Sequence, residues 1–141
     1  MKKIIIDTNI IVSAAINLVG IPARIITDII GKDKVIVCVS EPIWAEYDDV
    51  LRREKFSKIP NFYYNAELYV SLLKDKSEMT EQPNVVVERL KDTSDNKFLE
   101  LAYVAEADFL ITGNTKHFNL DFFGKTRIVT PTEFWELFKT E

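Results

Sequence analysis

The chain has 141 residues, 47% of them hydrophobic and 28% charged, with a single cysteine and a net charge of −4. That is enough chain for one domain with a substantial core, and the composition is far from that of disordered or collagen-like proteins. The acidic balance argues against a protein that grips nucleic acid through overall positive charge, although an enzyme that borrows its positive charge from bound metal ions escapes this argument.

In chain order, short β-branched apolar runs recur at Lys3–Ile6, Val35–Val39, Phe109–Thr112 and Arg127–Thr130, each reading as a strand buried on both faces. Asn84–Val87 is a fifth, weaker strand. Helical stretches fall between them at about Ile10–Val19, Ala23–Lys32, Pro42–Arg53, Ala66–Lys76 and Asp95–Ala105, with a last helix near Pro131–Lys139. Alternating strands and helices point to a parallel sheet with crossover helices. The last helix start is chemically explicit, because Thr130-Pro131-Thr132-Glu133 combines a capping Thr, a Pro suited to a first turn and a Glu three residues after the cap. Gly20-Ile21-Pro22 is expected to separate the first two helices, and the polar, Pro-containing stretch Glu78–Asn84 to be a loop.

No repeat and no linker is evident, so one domain over residues 1–141 is expected. No apolar run approaches the roughly 18 residues of a membrane span. A cytoplasmic protein is therefore expected. Cys38, within Val35–Val39, can form neither an internal disulfide nor a multi-cysteine zinc site and reads as a buried, inert thiol.

The acidic residues carry the functional signal. In open α/β sheets, ligands bind outside the carboxyl ends of the strands, and polar residues follow the strong strands closely. Asp7 ends the first strand, Glu46 lies one or two helical turns beyond the second, Asp92 and Asp95 flank a helix start, and Asn114 follows the fourth strand. Carboxylates gathered in one place repel one another, and a hard divalent cation such as Mg²⁺ or Mn²⁺ is their natural partner. Such an ion lowers the pKa of a bound water and steadies charge on a phosphodiester, with two ions roughly 4 Å apart in a binuclear site. The expected metal ligands are Asp7, Glu46, Asp95 and Asp92. Asp7, Glu46, Asp95 and Asn114 form the expected catalytic set, and Thr8, Asn9, Thr112 and Lys116 are assigned to substrate contact.

Each assignment has a plainer alternative. Asp7 could cap the helix after it, Glu46 could occupy an exposed helix face, and Asp95 could complement a helix dipole from the first turn. For Asp92, capping is as good a reading as catalysis. His117, the sole histidine, reads better as a loop residue than as a phosphate contact. The basic segment Arg52–Lys58 suits a charged helix end better than an RNA backbone, and Phe62, Tyr63, Tyr64 and Tyr69 suit packing better than base stacking.

With these residues in view, the chain resembles the PIN-domain family, and in particular the PIN-type toxins of prokaryotic toxin–antitoxin pairs. The similarity runs from residue 3 to about residue 138. It rests on Ile4-Ile5-Ile6-Asp7-Thr8-Asn9, the Ser40 to Glu46 segment, Asp92-Thr93-Ser94-Asp95-Asn96-Lys97-Phe98-Leu99-Glu100-Leu101-Ala102, and Ala107 through Thr112-Gly113-Asn114. The resemblance implies a three-layer α/β/α sandwich with a central, mainly parallel sheet, Mg²⁺ or Mn²⁺ held by acidic residues, and endonucleolytic cleavage of RNA. It matches Asp7, Glu46 and Asp95 to the family's first three acidic positions and Asp92 to an extra acidic residue frequent in the toxin subgroup. Where many members carry a fourth Asp, this chain has Asn114, which brings a carbonyl oxygen but no charge. Homodimerisation and neutralisation by a small antitoxin protein are further implications of the resemblance.

Two other readings compete. In haloacid-dehalogenase-like phosphotransfer, an Asp after the first strand is the nucleophile, but the second Asp needed two residues later is Asn9 here. A monoester phosphatase assay separates that class. The other is a PIN-like module that binds RNA or a partner without cutting, motivated by Asn114 and distinguished by whether cleavage depends on Asp7.

Overall fold

The computed structural model describes residues 1–81, 96–113 and 121–139. Among these, six strands form one sheet: β1 (Lys3–Ile6), β2 (Ile36–Val39), β3 (Ser77–Met79), β4 (Phe109–Ile111), β5 (Phe122–Phe123) and β6 (Thr126–Val129), in the order β3-β2-β1-β4-β6-β5. Every pairing is parallel except β5 with β6. β1 is central because it can be: Ile4, Ile5 and Ile6 are fully buried, so both faces of the strand are covered. Burying an Ile side chain contributes roughly 1.5–3 kcal/mol, which makes this tripeptide one of the strongest determinants of the core.

Helices flank the sheet, giving the three-layer α/β/α sandwich expected from the sequence. Among the described residues the helices are α1 (Thr8–Ile16), α2 (Ile21–Arg24), α3 (Glu41–Leu51), α4 (Phe62–Lys76), α5 (Asn96–Ala105) and α6 (Pro131–Phe138), with a π-helical turn at Ile25–Ile30 and a 3₁₀ turn at Glu54–Phe56. α5 packs on β2, β4 and β5, while α4 packs on β2 and on α1. α6 begins with the capping box read from the sequence: the Thr130 hydroxyl accepts from the Glu133 N–H at 3.1 Å, and Glu133 accepts from the Thr130 N–H at 3.0 Å.

Three expectations need correction, while the boundary at Gly20-Ile21-Pro22 holds: α1 ends at Ile16, Gly20 is the N-cap of α2 and Pro22 lies in its first turn, where a missing N–H costs nothing. That helix continues as a π-helical turn over Ile25–Ile30 rather than as a regular helix to Lys32. Residues 78 and 79, expected in a loop, extend the sheet as part of β3, which pairs Val37 with Ser77 and Val39 with Met79. An edge strand has one ladder to complete and need not be apolar, so its sequence carries little signal. The helix expected at Ala66–Lys76 starts a turn earlier, at Phe62, whose ring stacks on Phe56 with centroids 4.3 Å apart. The expected strand Asn84–Val87 lies outside the described residues.

β1 and β4 lie side by side, yet β2 and β3 intervene between them in the chain. The strand order therefore reverses between β1 and β4. A crevice opens at the carboxyl ends of strands at such a reversal, and Asp7 and Thr112 stand at the ends of these two.

Candidate metal-binding active site

Asp7 follows Ile6 directly, and its backbone N–H extends the ladder by donating to the Ile111 carbonyl at 2.9 Å. Its own carbonyl accepts from the Ile10 N–H at 3.0 Å, which starts α1. Asp7 thus occupies the N-cap position, but its side chain makes no capping hydrogen bond. The carboxylate turns instead toward the next strand, where the fully buried Thr112 hydroxyl donates to Oδ2 at 2.7 Å. Asp7 is only 6% exposed. A carboxylate this deep costs free energy unless it is met by donors or cations, so helix capping does not explain its position.

Glu46 arrives from α3. The Thr8 hydroxyl donates to its Oε2, and the Lys97 ammonium, in the first turn of α5, lies 2.9 Å from its Oε1. Both side chains of that ion pair are largely covered, at 28% exposure for Lys97 and 17% for Glu46. Because Thr8 is the neighbour of Asp7, one hydroxyl ties the two acidic residues together. Under them lies Tyr47, 1% exposed, whose hydroxyl donates to the Ile6 carbonyl at 2.6 Å. Burial first, and then the Asp7 and Glu46 charges, push the Tyr47 phenol well above its usual ionisation range. It therefore stays a neutral donor that pins α3 to the end of β1.

Of the residues singled out in the sequence, Asp7, Glu46, Thr8 and Thr112 are thus brought together. Both threonine hydroxyls are engaged by carboxylates rather than turned to solvent. Asn9 is exposed on α1. Asp92, Asp95, Asn114, Lys116 and His117 lie outside the described residues, although Asp95 immediately precedes the start of α5. Among the described residues no three His, Cys, Asp or Glu side chains form a metal-binding group. Two important residues escaped the sequence reading: Tyr47 and Lys97. Their only sequence signal is position, one residue after Glu46 and two after Asp95.

The other candidates resolve simply. Burial raises the Cys38 thiol to about 11, with Lys3 lowering it and Glu78 and Asp108 raising it, as befits an inert core cysteine. Arg52 and Arg53 pair with Asp48 and Asp49 at 2.8 and 3.2 Å along α3. Phe62 and Tyr69 are buried, whereas Tyr63 and Tyr64 are 40% and 67% exposed. A groove of about 910 Å³ runs between α3 and α4, past Trp44, Leu51, Tyr63 and Val70. It touches Tyr47 but neither Asp7 nor Glu46, so it is separate from the acidic cluster.

The fold and the acidic residues at its strand ends define a class. The family model described as PIN domain matches residues 3–116, and the chain belongs to the PIN-domain family, whose members are generally nucleases. Among curated proteins it is similar to an uncharacterized protein of Methanocaldococcus jannaschii, 31% identical over 97% of this chain and 92% of that protein. Among solved structures it resembles the crystal structure of VapBC2 from Rickettsia felis bound to a DNA fragment from their promoter. That likeness has a TM-score of 0.56 at 13% identity and covers 91% of this chain and 98% of the other; it concerns the fold.

Proposed function

We propose that this chain is an Mg²⁺- or Mn²⁺-dependent endoribonuclease, the toxin of a toxin–antitoxin pair, acting in the cytoplasm as a homodimer that a small antitoxin protein neutralises. One observation carries the catalytic part. Asp7 and Glu46, far apart in the chain, share the carboxyl end of β1 through Thr8 and lie close enough to Tyr47 for both charges to act on it. The toxin–antitoxin part rests on the resemblance and on the fold shared with VapBC2.

The donor set suits a hard divalent ion. Asp7 and Glu46 are oxygen ligands on different elements, and Asn96 Oδ1, at the start of α5, is a buried oxygen without a hydrogen-bond partner among the described residues. Asp7, Glu46 and Asp95 would hold the ion, with Asp92 beside them and Asn114 at the fourth position as a neutral oxygen donor. When bound, such an ion supplies activation of a water nucleophile and stabilisation of charge on the phosphodiester. The chain's own part is positioning. Thr112 fixes the Asp7 carboxylate, Thr8 and Lys97 fix Glu46, Tyr47 anchors the helix that carries Glu46, and Asn9 and Lys116 contact RNA.

Cleavage of single-stranded RNA with Mn²⁺ or Mg²⁺, and its loss with chelator, tests the reading. An absence of metal-stimulated cleavage over a range of RNA sequences overturns it. One observation favours the alternative of a non-cutting PIN module: the Lys97 ammonium already balances the Glu46 charge. RNA binding with no cleavage under any metal would establish that alternative. Replacing Asn114 with Asp should tighten metal binding by about tenfold to a hundredfold at most, since each tenfold change corresponds to about 1.4 kcal/mol. Equal affinities would place Asn114 outside the site.

A further inference from the structure

We propose that Lys97 is a built-in counter-ion which a divalent metal must displace from Glu46, so that the metal affinity of the site is set by competition within the chain. The inference rests on the metal-dependent reading above and concerns how that site is regulated. Its starting point is the ion pair at 2.9 Å between two largely covered side chains. Thr8 occupies the other Glu46 oxygen, so the carboxylate is engaged at both ends.

Two features make this pairing more than an ordinary surface contact. Lys97 lies in the first turn of α5, where the helix dipole disfavours a cation. Its compensation comes from the acidic cluster it faces. The preceding residue, Asn96, holds a buried Oδ1 with no hydrogen-bond partner among the described residues. A buried acceptor without a partner is a candidate oxygen donor for a small hard cation, and it sits on the residue next to the lysine that holds Glu46. An ammonium and a metal ion cannot both take the same Glu46 lone pairs at contact distance. Metal entry therefore moves Lys97 aside, and Lys97 in turn holds the cluster together when metal is scarce.

Calorimetric titration of Mn²⁺ into the full chain tests this, using the parent, Lys97→Met, Lys97→Gln, Lys97→Arg and Lys125→Met. Lys125 pairs with Asp108, before the opposite end of the sheet, and its replacement removes the same charge without touching the cluster. Lys97→Met and Lys97→Gln should bind Mn²⁺ on the order of tenfold more tightly than the parent, because a like charge has been removed from contact with the ligand. Lys97→Arg and Lys125→Met should stay near the parent value. Melting adds a reading independent of activity: without metal Lys97→Gln melts below the parent, and with saturating Mn²⁺ it gains more than the parent does. Should either neutral variant fail to fold, the other and Lys97→Arg carry the comparison. Parent-like affinity in the neutral Lys97 variants, with measurable parent binding, overturns the inference alone. No Mn²⁺ binding by any of the proteins overturns it together with the metal-dependent reading.

Discussion

The two ends of the central strand pair place an aspartate in opposite circumstances. At the amino end, Asp108 accepts from the Lys3 backbone N–H at 2.9 Å and has the Lys125 ammonium at 3.6 Å. Burial alone would raise its pKa, but the Lys3 N–H and the Lys125 and Lys2 charges outweigh burial and lower it. This is a carboxylate at rest, and its role is to tie β1 and β4 at their starts. At the carboxyl end, Asp7 is almost wholly buried, meets a hydroxyl from Thr112, and sits beside a second acidic residue reached through Thr8. A fold selected only for stability would use the first arrangement at both ends, since grouping buried carboxylates raises their mutual repulsion. Under the proposed function, the contrast marks the carboxyl end as the place where stability is given up for chemistry.

The sharpest way to break this comparison is to neutralise both aspartates in turn. Asp7→Asn should lower metal-dependent RNA cleavage by more than about 100-fold, beyond the loss usual for an outer partner of a metal site. Its melting temperature should be unchanged or higher. Asp108→Asn should cleave at the parent rate. Equal losses in the two variants, measured on the same RNA, would erase the distinction between the ends.

Thr112→Val sharpens the comparison by removing only the donor to Asp7. A hydrogen bond to a charged group contributes about 1.5–3 kcal/mol, and the buried carboxylate should become harder to orient. Urea unfolding should show a loss of that size and cleavage a loss of about 10- to 100-fold. A variant with parent-like cleavage would reduce Thr112 to a packing residue. Tyr47→Phe should cost about 1 kcal/mol through loss of the bond to the Ile6 carbonyl, with a smaller effect on cleavage because α3 keeps its apolar contacts. An unchanged unfolding midpoint would show that the phenol hydroxyl does not anchor α3.

What the sequence revealed of this architecture, and what it concealed, follows the same physical division. β1 was legible because three consecutive isoleucines fit only a strand covered on both faces, and α6 because a capping box is local chemistry. The place of Asp7 at the carboxyl end of β1 was legible because it directly follows the buried isoleucine run. β3 was not, since the polar triplet Ser77-Glu78-Met79 becomes a strand only through the edge that β2 offers it. The β5–β6 hairpin was half visible: its two-residue connection, Gly124-Lys125, places Gly124 at φ 59°, as primed hairpin turns favour, but Phe122-Phe123 is too short to declare a strand. Lys97 was hidden for a different reason. A lysine two residues after an aspartate on a helix reads as solvated, and only the crossing of α5 near α3 brings it to Glu46. Local determinants were readable, whereas partners supplied by another element were not.

The smallest effect belongs to Asp108 and tests the resting end of the pair. Its folded-state pKa is lowered from 3.8, so the unfolded chain binds its proton more readily than the folded one. The stability it contributes is therefore fully present above the unfolded value and is lost as pH falls through the folded value. Lys125 is more than half exposed in this pair, and exposed pairs contribute at most about 1 kcal/mol. Asp108→Asn should accordingly be less stable than the parent by no more than about 1 kcal/mol at neutral pH. The difference should hold steady down to roughly pH 5 and then close below about pH 4, where the parent's Asp108 takes up its proton. Denaturant unfolding of both proteins across that range measures it directly. A difference that widens on acidification would mean that Asp108 is protonated more readily folded than unfolded, and the contrast between the two ends of the strand pair would fail at its simpler end.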